Sequence, residues 1–350
     1  MKVSVVMPVY NGAKFVRDAV ESILSQSYDN FELLVVDGGS SDETPKILAA
    51  IRDVRLTSIF TRLNLTNSLN TALRAAKGDL IIRMDADDIA KPNRLALQVE
   101  YYKRHPNIAM FGTSATVINA DGGVIGNADM PREPWWAEWC LFFGCPFVHP
   151  TVAISKQFLI RNAIEYGKVP VSDNDVLRLP LLRECEDYLM WSVISRRGPM
   201  ANLPQRTLKL RMHQTSKSSV NADSVRTATE EISRWNAACF LNEPIEKKEW
   251  CRGNSDFDAT AHQARLKQLG ELYITRRSLE FRRAMIIRQD YAFRAMLARP
   301  CEHGGVRLIR AFKILSETRF LIPPSKLKSA IKYTLGSSYL ARIKALARTA

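Results

Sequence analysis

An α/β fold built on an open, mostly parallel sheet is predicted by three observations. The chain opens on an unbroken apolar, β-branched run, amphipathic stretches alternate with further such runs, and a polar loop follows each run. Val3 to Tyr10 is nearly continuous apolar sequence, as expected of a strand buried on both faces. Residues 14–25 then place Phe15, Val16, Ala19, Ile23 and Leu24 at helical spacing. Residues 31–36 read as a second buried strand running into Asp37-Gly38-Gly39. Asp42 is placed to cap a helix to about Ile51, with Pro45 in its first turn. A third strand fits 55–60, a third helix 66–76 and a fourth strand 79–84. This spacing implies βαβ units with right-handed crossovers. Ligands of such sheets sit beyond the carboxyl ends of the strands. Tyr10-Asn11-Gly12, Asp37-Gly38-Gly39-Ser40 and Asp85–Asp88 all fall there.

From about 92 to 220 the pattern is mixed. A helix fits 92–104, short strands 108–119, a strand Val152–Ile154, a helix 184–197 and a strand 206–211. Trp135, Trp136 and Trp139 share a helical stretch, read as a packed face, with a ligand-stacking or membrane-facing patch as the alternative. Beyond about 222 the chain becomes helical and basic. The expected organisation is an α/β domain over 1–220, with halves 1–110 and 111–220, followed by a helical extension over 221–350.

Composition bounds the function. The 350 residues are 46% hydrophobic and 25% charged, ordinary for a globular protein. No apolar run is long enough to span a bilayer, and the N-terminus does not read as a signal peptide. Six cysteines without CxxC spacing read as reduced thiols in a cytoplasmic protein. Fifty Lys and Arg face 36 Asp and Glu, a net charge of +14, which favours an anionic partner. The excess lies largely in the tail: after Glu317 no acidic residue remains, while seven Lys or Arg follow. In 305–350 apolar and basic residues interleave, as in helices that lie on an anionic membrane surface or pack as a solvated helix.

Asp85-Ala86-Asp87-Asp88 carries the chemistry. Three carboxylates in four residues at a strand end repel one another unless a cation relieves them. Oxygen ligands of this kind suit Mg²⁺ or Mn²⁺ shared with substrate phosphates. An acidic loop capping the next helix is the plainer alternative.

In order and spacing, residues 3–12, Val35 to Thr44, Leu69-Asn70, Lys77-Gly78-Asp79 and Arg83 to Asp88 resemble glycosyltransferase family 2. These are nucleotide-sugar-dependent enzymes of the GT-A fold, a Rossmann-like sheet flanked by helices. The resemblance covers about 1–215. It implies a nucleotide site lined by Pro8, Val9, Tyr10, Asn11, Asp37 and Gly38, with Tyr10 near the base. Many relatives carry a second aspartate, contacting uracil, where this chain has Gly38. UDP remains the donor nucleotide the resemblance favours. It also implies a divalent cation, Mn²⁺ or Mg²⁺, at Asp87 and Asp88, with Asp85 on the donor sugar or diphosphate. Glu184-Cys185-Glu186-Asp187 resembles the family's Glu-Asp pair, which makes Asp187 the base of an inverting transfer and Glu186 the second choice. Helix N-termini favour such residues through the dipole alone. His149 resembles an acceptor-side position. Arg211 and His213 match a segment closing the catalytic domain, where Arg211 would neutralise phosphate and His213 reach the metal.

The resemblance implies a saccharide or lipid-linked acceptor in cell-surface polysaccharide or glycolipid assembly. The chain would be cytoplasmic and peripheral on the membrane through its basic C-terminal helices. A nucleotidyltransferase is the alternative enzyme, but residues 8–14 lack its Gly-rich triphosphate loop. A nucleic-acid binder would need basic and aromatic residues gathered on one surface, so no nucleic acid is expected.

Overall fold

A computed structural model of the chain describes residues 1–169, 179, 182, 184–213, 221–252 and 255–298. The basic segment 305–350 lies outside the described residues. Two compact units divide between Cys239 and Phe240.

The first unit is α/β. Its elements are β1 (Val3–Val9), α1 (Val16–Leu24), β2 (Phe31–Asp37), α2 (Thr44–Ala50), β3 (Leu56–Phe60), α3 (Leu65–Ala75), β4 (Leu80–Arg83) and β5 (Ile89–Ala90). There follow α4 (Arg94–Arg104), β6 (Met110–Ile118), β7 (Val124–Ala128), α5 (Pro134–Cys140), β8 (Ala153–Ser155), α6 (Lys156–Arg161), α7 (Glu186–Ser195) and β9 (Met200–Arg211). Helix α8 (Ala222–Leu241) begins beside the boundary expected at 220 and runs into the division between the units.

The sheet order is β3-β2-β1-β4-β8-β6-β9-β5, with β7 on β6. β3, β2, β1 and β4 are parallel neighbours, the βαβ half that the N-terminal pattern implies. β8 joins β4 antiparallel, and β6 pairs antiparallel with β8 and parallel with β9. The run expected as short strands over 108–119 is one strand, β6, and β9 starts six residues before the expected 206. Pro204 lies where the β9 register shifts against β6, the kind of irregularity that admits a proline.

Strand periodicity splits the core into two layers. Val3, Val5, Met7 and Val9 pack with Val16, Ala19, Val20 and Ile23 of α1 and Leu95 and Val99 of α4. Val6, Leu34, Val36 and Ile81 face the other way, onto Leu69 and Ala72 of α3 and Met190, Val193 and Ile194 of α7. Each fully buried Val or Ile of this kind contributes roughly 1.5–3 kcal/mol. Trp139 of α5 is fully buried with its ring against Phe142 and Phe143, so at that position the packing reading fits.

The described part of the second unit is helical. It contains α9 (Lys247–Trp250), α10 (Ala259–Arg276) and α11 (Phe281–Ala298). Gly270 lets the Tyr291 ring lie directly on α10. Arg288 grips Glu271 with two bonds of 2.8 and 2.9 Å, holding that carboxyl down at about 2. His262 is buried between Trp250 and Phe257, and burial pushes its imidazole down to about 4.

Candidate active site

The parallel strands end in register. Val9 is opposite Asp37 and Asp37 opposite Phe60, so three loops leave one edge of the sheet together. Pro8 and Val9 are buried within β1, which leaves Tyr10 (67% exposed) and Asn11 as the outward members of that expected group. Asn11 takes a left-handed turn (φ 50°), which Asn tolerates better than most residues. Its N–H donates to Ser40 Oγ at 2.7 Å and its Oδ1 accepts from the Ser41 N–H at 2.9 Å. The Gly12 N–H donates to Thr44 Oγ1 at 2.9 Å. The first two loops are thereby laced into one surface.

Asp37 organises the second loop from inside. Its Oδ1 accepts from the Gly39 and Ser40 N–H groups at 3.0 and 2.8 Å, and the side chain is buried. Gly39 supplies the positive φ, +101°. Gly38 answers a different demand: a Cβ there would sit 2.7 Å from the Leu63 carbonyl oxygen. The close approach at Gly38 is therefore made by the chain's own backbone. A side chain at 38 requires the 61–64 segment to move.

After β4 the chain turns at once, so the carboxylates that a continued strand would split between faces converge. Oxygens of Asp85, Asp87 and Asp88 lie within 4.8 Å of one another. Burial, then Asp85, push the Asp87 carboxyl up, with His213 opposing. Burial, then Asp85 and Asp87, push Asp88 well above the carboxylate range, against the Arg211 N–H. Asp88 Oδ1 accepts that N–H at 2.8 Å, while its buried Oδ2 has no hydrogen-bond partner. An orphaned, buried carboxylate oxygen beside two others is a donor set that fits a hard divalent cation.

His213 and Arg211 both reach this loop. His213 Nε2 lies 2.9 Å from Asp87 Oδ2. The Arg211 guanidinium is engaged by the carbonyls of Asp87 and Ala120, at 2.8 Å each, and Asn119 at 3.3 Å, and it stacks over Phe15. Arg211 thus braces the acidic loop through the Asp87 carbonyl. Beneath the loop sit two buried arginines that sequence reasoning did not single out. Arg83 pairs with Asp85. Arg94 donates to the carbonyls of Arg83 and Pro150 at 2.7 Å each, and burial pulls its guanidinium down to about 9.

Asp187 lies in the first turn of α7, after Cys185, which holds a left-handed φ of 62°. Burial, then Glu186, raise the Asp187 carboxyl to about 6, with the Tyr188 N–H and Arg83 opposing. Arg83 thus acts on both Asp85 and Asp187 and links the two acidic centres electrostatically. Asp187 Oδ1 accepts from the Tyr188 N–H at 2.7 Å, and Oδ2 lies 3.6 Å from His149 Nδ1. His149 Nε2 is 3.1 Å from the Tyr166 hydroxyl. Glu186 is buried beside Asp187. Tyr166 was missed, because no local pattern marks it.

Residues 4–139 match Glycosyl transferase family 2. The O-antigen biosynthesis glycosyltransferase WbnJ of Escherichia coli is 31% identical over 218 residues, covering 61% of this chain and 81% of the relative. The chain belongs to glycosyltransferase family 2. A further family relative is an Escherichia coli protein named UDP-Glc:alpha-D-GlcNAc-diphosphoundecaprenol beta-1,3-glucosyltransferase WfaP. It is 27% identical over 198 residues, or 56% of this chain and 71% of that one. The fold is shared with S. aureus TarS 1-349 in complex with UDP-GlcNAc, with a TM-score of 0.57 and 17% identity over 91% of this chain and 90% of that one. The chain is a glycosyltransferase with a GT-A fold. Among the described residues of this family 2 enzyme, no helix is long and apolar enough to cross a membrane.

Proposed function

We propose that this glycosyltransferase moves a sugar from a UDP-sugar to a saccharide or lipid-linked acceptor, with inversion, in cell-surface polysaccharide or glycolipid assembly. The relatives named for O-antigen synthesis and for a diphosphoundecaprenol acceptor support the acceptor class, and the UDP-Glc in the second name supports the donor. The observation that carries the reading is the acidic loop. Three carboxylates converge at the carboxyl end of β4, and one buried oxygen has no partner.

The 1–110 half would hold the donor, with Tyr10 near the base and Asn11, Asp37 and Gly38 shaping the nucleotide surface. Pro8 and Val9 would form its floor. Asp87 and Asp88 would hold Mn²⁺ or Mg²⁺, His213 would fix Asp87, and Asp85 would face the donor sugar or diphosphate. When bound, the cation supplies Lewis-acid stabilisation of the departing diphosphate. Arg211 would keep the loop in shape through Asp87, Asn119 and Ala120.

The 111–220 half would hold the acceptor. Asp187 would take the acceptor hydroxyl's proton as that oxygen attacks the anomeric carbon. A carboxyl raised to about 6 is ionised at neutral pH and more basic than an ordinary aspartate, which suits a general base. Burial, with the repulsion of Glu186, would keep it there. The 221–350 extension would bring the enzyme to the cytoplasmic membrane face. Release of UDP from a panel of UDP-sugars with Mn²⁺ tests the donor reading. Release from one sugar nucleotide above the others is expected, and none with any of them would sink it.

A further inference from the structure

Asn70 belongs to the sequence motifs, yet it lies on α3 and is buried. Its side chain pairs with the backbone of a residue 96 positions away. Asn70 Nδ2 donates to the Tyr166 carbonyl at 3.0 Å and Asn70 Oδ1 accepts the Tyr166 N–H at 2.9 Å. This two-point clamp fixes Tyr166, itself 1% exposed. The Tyr166 hydroxyl meets His149 Nε2, and His149 Nδ1 faces Asp187 Oδ2. Trp191, one helical turn beyond Asp187, closes the box, with its ring centroid 5.7 Å from that of His149 and 6.0 Å from that of Tyr166.

We infer that Asn70, Tyr166 and His149 form a positioning chain that sets the imidazole tautomer and aims Nδ1–H at the carboxylate of Asp187. This rests on Asp187 being the base. Burial pushes the Tyr166 phenol up, beyond any working pH, so it keeps its proton and has one to donate. Donation to Nε2 leaves the imidazole proton on Nδ1. The 3.6 Å separation from Oδ2 is longer than a hydrogen bond, and such contacts tighten when substrate binds. With Oδ1 held by the Tyr188 N–H and Oδ2 by His149, the carboxylate plane is fixed while lone pairs remain for the acceptor hydroxyl. His149 is not itself the base: its Nε2 meets a buried phenol, and its side chain is less exposed than that of Asp187, 12% against 23%.

The test is ¹⁵N-histidine NMR of the full chain at pH 8, with the His149 signals assigned through His149→Gln. The expected wild-type ring is neutral and protonated at Nδ1. Tyr166→Phe, with an unchanged melting curve, shifts it toward the Nε2–H form that free imidazole prefers in water. An Nε2–H or doubly protonated ring in the wild type, or no change in Tyr166→Phe, overturns the inference. Turnover of UDP-sugars by water gives a separate arm. Asp187→Asn loses UDP release if Asp187 is the base, whatever the tautomer. His149→Ala lowers kcat about tenfold or more with the donor KM within twofold, and His149→Asn, which restores an N–H near Nδ1, recovers part of the loss. An active Asp187→Asn sinks the base reading. An inactive Asp187→Asn beside an unimpaired His149→Ala sinks only the positioning chain.

Discussion

Asp85–Asp88 and Asp187 are both partly buried acidic centres, and they are held by opposite strategies. The first is contiguous: three carboxylates on one turn, braced by Arg211 and His213 at and just beyond the end of β9, the strand that pairs with β5. The second is dispersed. One carboxylate at a helix start faces His149, which depends on Tyr166, which depends on Asn70. The crowded centre gathers like charges whose repulsion a bound cation would relieve. The dispersed centre raises a single carboxyl to about 6 and fixes its plane. The crowded centre suits a leaving group that gains charge, and the dispersed one suits a proton acceptor.

The comparison breaks first if the metal is dispensable. Chelation with EDTA should lower UDP release by about 10³ or more, roughly 4 kcal/mol of transition-state stabilisation, with Mn²⁺ restoring it. Asp187→Asn comes next. It should cost roughly 10²–10⁴ in turnover while the donor KM stays within twofold, because the dispersed centre acts on the acceptor side.

The third prediction is a pH profile at saturating metal. A base raised to about 6 must be ionised to work, so the rate falls as pH drops through about 6, about tenfold per unit below it. A flat profile from 7 to 5 would remove Asp187 from the proton transfer. The smallest effect concerns the donor-side edge. Gly38→Ala sets a methyl against the Leu63 carbonyl, which should cost about 1–3 kcal/mol in denaturant unfolding. Unchanged stability would mean that the 61–64 segment yields easily.

The contiguous centre was legible because its residues are neighbours in sequence and like charges in a row need a physical reason. The parallel pairing of β1 to β4 was legible for a similar reason, since alternating strands and helices imply βαβ units; their order came from the structure. The dispersed centre was visible only as separate pieces, Glu184 to Asp187, His149 and Leu69-Asn70. Nothing local says that Tyr166 meets His149, because the loop carrying it is placed by Asn70 of α3, 96 residues earlier in the chain. Arg94 was hidden too: a basic residue opening a helix reads as solvated surface, whereas here it bonds to the carbonyls of Arg83 and Pro150. The bracing by Arg211 was hidden as well, since nothing local says that its guanidinium reaches the carbonyls of Asp87, Asn119 and Ala120.

Calorimetric titration with UDP, in the presence and absence of Mn²⁺, tests the acidic loop most directly. The wild type and Asp187→Asn should bind UDP alike and at least tenfold more tightly with Mn²⁺, and Asp88→Asn, folded by its melting curve, should lose that gain. UDP affinity indifferent to Mn²⁺ and to Asp88→Asn would contradict a cation–diphosphate site at Asp85–Asp88.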